Sequence, residues 1–328
     1  DLRMSRGLGD VYKRQMRGTA HDKLWNSEYG QKQKTERDHI YFGTVLEHIL
    51  LQNLCAFYDV GEHNEMRLHG ADWNDALDMA WEKGESVAFT CAYAGNLRNI
   101  AKTLRQLEEI SGSSKIEIAH EMEDLLAGSV ELYEDAARKQ ALLAGYAKKC
   151  EHNISGDTIV VRLDQLAANL EEKADWMMKN IRANEWVKDG EDGWFNGYYD
   201  NHGRKVEGVM DESVRMMLTG QVFAIMSGTA TEDQVESICR SADKYLYDQK
   251  AGGYRLNTNF HEEKFDLGRM FGFAYGEKEN GAVFSHMAVM YSNALYQRGF
   301  AKEGNKVLQA LLDLSLIHIS EPTRHAQI

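Results

Sequence analysis

Segments in which apolar residues recur about every 3.6 positions follow one another along most of this 328-residue chain. They restrict its fold more than any other feature. From Thr44 to Tyr58 the residues Val45, Leu46, Ile49, Leu50, Cys55, Phe57 and Tyr58 mostly keep that period, which predicts a buried helix ended by Gly61. Further helices are expected over about 85–110, 115–147, 158–181, 213–226, 231–247, 282–297 and 302–314. Their stripes, such as Val87, Cys91, Ala94, Leu97, Ala101 and Leu104, belong to a core. Thr231-Glu232-Asp233-Gln234 has the composition of a helix cap. Between 192 and 209 aromatics alternate with Gly, Asn and Asp, which predicts a short β-hairpin turning at Asn201-His202-Gly203. Seven or eight helices, one hairpin near 192–209 and no βαβ alternation give an all-α class. Periodicity alone leaves a toroid of helices and a solenoid both open.

A formal net charge of −13 argues against a nucleic-acid or membrane-surface partner. Neutral sugars need no basic surface, but a phosphate group would then depend on local donors. The four cysteines, Cys55, Cys91, Cys150 and Cys239, are far apart and form no CxxC pair. Cys55 and Cys91 fall in apolar stripes as buried thiols, which fits a reducing cytoplasm. No run approaches a membrane span, no secretory signal is visible, and no metal-ligand spacing stands out. Residues 1–15 and 315–328 resemble translated sequencing-adapter read-through. The fold is therefore expected within 16–314, as an internal part of a longer protein, with the two ends packing poorly against it.

Two stretches concentrate chemistry. In Arg67-Leu68-His69-Gly70-Ala71-Asp72-Trp73-Asn74-Asp75-Ala76-Leu77-Asp78, carboxylates, an indole and an amide crowd a loop between helical segments. A flat apolar ring beside short polar groups suits a sugar; an Asx-rich turn joining two helices is the plainer alternative. About 200 residues later comes Phe271-Gly272-Phe273-Ala274-Tyr275-Gly276-Glu277-Lys278-Glu279-Asn280-Gly281-Ala282-Val283-Phe284-Ser285-His286. Here Glu279 could be a first-turn charge facing a helix dipole, and His286 a structural helix residue.

Ala71-Asp72-Trp73-Asn74-Asp75 followed by Gly84-Glu85-Ser86-Val87, together with Glu279-Asn280-Gly281 and Phe284-Ser285-His286, resembles glycoside hydrolase family 94, the cellobiose, cellodextrin and chitobiose phosphorylases. The resemblance runs from about Gly43 to Leu314. It implies an (α/α)6 barrel, incomplete here, with the site in loops at one end. It implies Asp75 as the general acid, Asp72, Trp73 and Glu279 as sugar-binding residues, and His286 as a phosphate contact. No cofactor is implied; inorganic phosphate is the co-substrate, a β-linked oligosaccharide is the other partner, and family members are often dimers. Asp75 must keep its proton at neutral pH, so burial or the nearby Asp72 and Glu279 are expected to raise its pKa. Several features depart from the family. Ala274-Tyr275 stands where many members have Pro-Pro. An upstream Arg and a downstream Thr-Gly pair of the phosphate site have no matching positions, and neither do the flanking β-sandwich and jelly roll. Competing expectations are an inverting hydrolase with Glu279 as base, a non-catalytic helical scaffold, and a module of a cyclic-glucan synthase.

Overall fold

The computed structural model describes residues 33–37, 39–69, 75–210 and 213–320, without the side chains of Asp75 and 315–320. The first helix, α1, spans Val45–Tyr58 and starts where the Thr44 side chain accepts from the Glu47 N–H. Helix α2 is Val87–Ser111, capped by Ser86 accepting from the Phe89 N–H and closed by Gly112 at φ +66°. Two shorter helices follow, α3 (Val130–Glu134) and α4 (Ala136–Lys149), separated because Asp135 caps the second by accepting from the Arg138 N–H. Helix α5 is Leu163–Asn184. Then come α6 (Leu218–Met226), α7 (Glu232–Tyr245), α8 (Ser285–Gln297) and α9 (Ala301–Ser320). At α7 the Thr231–Gln234 pair forms a reciprocal capping box, as its sequence predicts.

The chain is rich in helix, with several short ladders, and the ladders correct parts of the sequence reading. The helix expected over 115–147 begins instead as a strand, Lys115–Ala119, then a 3₁₀ run, His120–Leu126. That strand pairs antiparallel with Thr158–Arg162, the expected start of the next helix. Ile116 and Ile118 face one way while Lys115 and Glu117 face the other, a period of two hidden within five residues. The hairpin expected near 192–209 is displaced. Trp186–Asp189 pairs with Asp192–Phe195 around Gly190, while Tyr198–Tyr199 pairs with Glu85–Ser86 instead. The turn at 201–203 is real, closed by a bridge between Tyr199 and Lys205. Helix α1 ends at Tyr58 with Asp59 as its C-cap, ahead of Gly61. Gly61 matters for room, because a Cβ there would lie 2.3 Å from the Glu85 carboxyl carbon. At the far end, α9 keeps its helical backbone to Ser320, past the limit expected at 314; residues 1–15 lie outside the described residues.

Two cores hold these elements. One gathers α1, the outer half of α2, the 3₁₀ run and most of α5, around Leu54, Phe57, Leu97, Leu104, Leu166 and Leu170. The other gathers α6, α7, α8 and the 186–195 hairpin, around Trp194, Phe195, Val222, Ile238 and Tyr291. Helices α2 and α5 serve both, since Cys91 and Ile181 lie in the second core. They run antiparallel, for Arg98 meets Asp175 and Arg105 meets Glu171. Those pairs are exposed and contribute little; the buried apolar seam between the helices does the work. All four cysteines are free, Cys55 half-buried and the others buried. None of the described helices is long and apolar enough to cross a membrane.

Candidate active site

The first polar stretch is an excursion stitched at its base. Met66–Arg67 pairs antiparallel with Glu85–Ser86, which pairs in turn with Tyr198–Tyr199. Residues 68–84 leave and return through this ladder, and the Leu68 N–H donates to the Gly84 carbonyl at 2.9 Å. The Glu85 carboxylate is buried beneath it. It accepts from the backbone N–H groups of His63 and Glu65 at 3.1 Å and 2.9 Å, and lies 2.8 Å from His63 Nδ1. Burial raises its pKa, and the His63 and Glu65 hydrogen bonds partly offset this. Glu65 is fully buried beside it. Asn180 Nδ2 donates to one of its oxygens at 3.3 Å, and among the described residues the other has no partner. Burial, then the Glu185 carboxylate, push the Glu65 pKa well above the ordinary value. Inside the excursion Asp75–Leu77 forms a 3₁₀ turn, and Ala76, Leu77 and Ala80 anchor it in the second core.

The second polar stretch comes to meet it. Arg269–Gly272 is another 3₁₀ turn, and its Arg269 N–H donates to Asp78 Oδ1 at 3.1 Å. The Met79 N–H donates to the Leu267 carbonyl at 3.3 Å. Between them, Gly268 lies so close that a Cβ on it would be 1.9 Å from the Ala76 carbonyl oxygen. The loop that follows is held from beneath by Asn257, which is fully buried. Asn257 Nδ2 donates to Asn280 Oδ1 at 3.1 Å, and Asn257 Oδ1 accepts from the Gly281 N–H at 2.8 Å. Arg255 donates to the Gly281 carbonyl at 2.6 Å and pairs with Asp248. Gly281 sits at φ +77°, and a Cβ there would be 2.3 Å from the Tyr275 ring, so only glycine fits both demands. Glu279 is half-buried on this clamped turn, and His286 is exposed in the first turn of α8.

The structure thus brings the backbone of the Asp75 turn against the loop that leads to Glu279 and His286. Asp72 and Trp73 lie outside the described residues, as does the side chain of Asp75. Sequence reasoning missed Gly268, Asn257 and the clamp at Glu85. Their roles come from contacts across about 20 to 190 positions, and no local pattern signals them. Among the described residues no group of three His, Cys, Asp or Glu could hold a metal ion.

Over residues 161–326, half of the chain, the sequence matches the family described as glycosyl hydrolase 94 superfamily, catalytic domain. The chain belongs to the glycosyl hydrolase 94 superfamily. This match includes Glu279 and His286, while the Asp72–Asp75 stretch precedes it. Three similar curated proteins are named phosphorylases. Solabiose phosphorylase of Paenibacillus borealis is 26% identical over 246 residues, covering 74% of this chain and 24% of that protein. Cellobionic acid phosphorylase of Neurospora crassa is 31% identical over 156 residues, covering 47% of this chain and 18% of that protein. N,N'-diacetylchitobiose phosphorylase of Vibrio proteolyticus is 28% identical over 123 residues, covering 37% and 14% respectively. The chain therefore spans about a quarter of the length of the first of these superfamily relatives, and less of the other two.

Proposed function

We propose that the full-length protein containing this chain cleaves a β-linked di- or oligosaccharide with inorganic phosphate, releasing an α-sugar 1-phosphate, and runs the reverse glycosyl transfer. The supporting observation is the approach of the two polar turns, Asp75–Leu77 and Arg269–Gly272, in a chain of this superfamily. The relatives' names, each a phosphorylase of a disaccharide or related sugar, support the same chemistry. On this reading the helices belong to an (α/α)6 barrel with the two turns at one end.

Inversion needs an acid on the leaving oxygen and a nucleophile on the opposite face of the sugar. Asp75 donates its proton to the glycosidic oxygen as the C1–O bond breaks. A phosphate oxygen bonds to C1 from the other side, so no second carboxylate need act as base. Asp72 and Glu279 hold sugar hydroxyls and Trp73 walls the ring. His286 contacts phosphate from the first turn of α8, whose positive end also favours an anion. Its N-cap, Phe284, puts no acceptor side chain in competition there. With a net charge of −13 on the chain, such local donors must supply the attraction.

The test is product analysis on the full-length protein. β-1,2-, β-1,3- and β-1,4-linked glucosides, cellobionic acid and diacetylchitobiose are incubated with and without inorganic phosphate. A sugar 1-phosphate of α configuration, formed only with phosphate, is expected by NMR. Free sugar formed without phosphate would establish the hydrolase instead, with Glu279 as its base. Asp75→Asn is expected to lower the rate ~10²- to 10⁴-fold, the usual worth of a general acid.

A further inference from the structure

We infer that the turn 200–204 is a positioning bracket that holds the two site loops in register, with Asn201 gripping one loop and Asp200 gripping the other. The inference rests on the reading of Asp75 as proton donor. The Asn201 side-chain oxygen accepts from the backbone N–H groups of Glu82 and Lys83, at 2.9 Å and 3.1 Å. These residues close the 68–84 excursion that carries Asp75. On the other side, Asp200 Oδ2 accepts from Lys264 Nζ at 3.0 Å, and both side chains are almost wholly buried, with 1% and 4% of their surface exposed. The Lys264 carbonyl accepts from the N–H groups of Leu267 at 2.9 Å and Gly268 at 3.3 Å. Lys264 thereby fixes the turn that presses Gly268 against Ala76. With the Met79 bond to Leu267, the contacts close a ring through 200–201, 82–83, 76–79, 267–268 and 264.

The bracket is itself rigid. Asp200 Oδ1 accepts from the N–H groups of His202 at 2.9 Å and Arg204 at 3.0 Å, and Arg204 Nε donates to its other oxygen. Gly203 takes φ +71° to close the turn. The strand entering it, Tyr198–Tyr199, is paired with Glu85–Ser86. Burial alone would raise the Asp200 pKa, but hydrogen bonds from the Arg204 and His202 backbones and from the Lys264 and Arg204 side chains outweigh it and hold it at about 2. The Asp200 carboxylate therefore stays ionised well below neutral pH. Asp200 is taken up by Lys264 and Arg204, and the Asn201 oxygen by the Glu82 and Lys83 amides, which makes both positioning residues on this reading. They act by keeping the acid and the sugar-binding turn at a fixed separation, where a shift of about 1 Å can cost ~10²-fold in rate.

Asn201 offers the clean test, because the amides it binds are near solvent and water can replace its oxygen in the folded state. In the full-length protein, Asn201→Ala should lower kcat for phosphorolysis ~10-fold or more, with KM and the thermal midpoint little changed. Asn201→Asp keeps an acceptor oxygen and should restore the rate. In an Asp75→Asn background, Asn201→Ala should cost nothing further, since no proton donor remains to be positioned. The bracket is refuted if Asn201→Ala keeps the wild-type kcat, if Asn201→Asp is as slow as alanine, or if the losses multiply in the Asp75→Asn background. Should Asp75→Asn alone keep full activity, the proton-donor assignment fails first and the bracket falls with it. With Asp75→Asn slowed by the expected ~10²- to 10⁴-fold, the Asn201 results judge the bracket alone.

Discussion

Replacing Gly268 with alanine tests whether the two turns meet as closely as described. The backbone conformation is no obstacle, since φ is 178° there, an extended geometry that alanine adopts freely. The obstacle is space. The added methyl would lie 1.9 Å from the Ala76 oxygen and 2.5 Å from the Leu77 Cα, whereas real Cβ contacts essentially never fall below 3.0 Å, so the turns must part by about 1 Å. Neither side yields readily, because Ala76, Leu77 and Leu267 are all buried in the second core. The methyl meets backbone, not the end of a flexible side chain. Overpacking of this kind costs ~1–3 kcal/mol, with the upper end expected here. The same opening would move the Asp75 turn away from the Glu279 loop and reduce kcat ~10²-fold. A control is Gly145→Ala within α4, where a Cβ meets nothing within 4 Å; it should stabilise by ~0.5–1 kcal/mol and leave the rate alone. Initial rates and urea midpoints of both variants of the full-length protein decide the matter. Wild-type rate and midpoint in Gly268→Ala would refute the close approach and the positional argument built on it.

Other substitutions probe separate parts. His286→Ala should raise KM for phosphate more than KM for the sugar, as initial rates at varied phosphate would show; an equal rise in both would remove His286 from the anion site. Asn257→Ala strands the buried carbonyl and amide partners of the Glu-Asn-Gly turn, so sugar KM should rise and stability fall by ~1–3 kcal/mol, measured by denaturant titration beside the activity assay. Glu65→Gln addresses pH. A carboxyl whose folded pKa is raised keeps its proton while the unfolded chain releases it, so stability declines as pH rises above the unfolded value near 4.5, until the folded pKa is passed. The glutamine variant should therefore gain on the wild type as pH climbs from about 4.5 to neutrality, in thermal midpoints taken across that range; a constant difference would contradict the burial argument.

Sequence patterns made the long helices visible because their stripes are long. The Thr44, Ser86 and Thr231 caps fall within a residue or two of the expected starts. The strands 115–119 and 158–162 were hidden because five residues of alternation border helical sequence, and only pairing with each other distinguishes them. The 186–195 hairpin escaped for a related reason: Trp194 and Phe195 look continuous with Tyr198 and Tyr199, yet the first two pair with the nearby Trp186 and Val187 and the second two with the distant Glu85 and Ser86. The two site stretches stood out because polar and aromatic groups crowd them. What aligns them did not stand out, since Gly268, Asn257 and Asp200 act through partners that no local spacing reveals.

The ladder beneath the Asp75 turn has an engineering consequence. Residues 68–84 enter through Met66–Arg67 and leave through Glu85–Ser86, and the Glu85 clamp on His63 and Glu65 lies wholly below that gate. The excursion is thus a cassette with its own threshold. On the proposed reading, a chimaera that takes positions 68–84 from a relative with another sugar preference would exchange this segment while the host keeps its ladder and its helical frame. The seams of such a graft should fall between Arg67 and Leu68 and between Gly84 and Glu85, with Ala76, Leu77 and Ala80 kept apolar so that the donor segment finds the same seat in the second core.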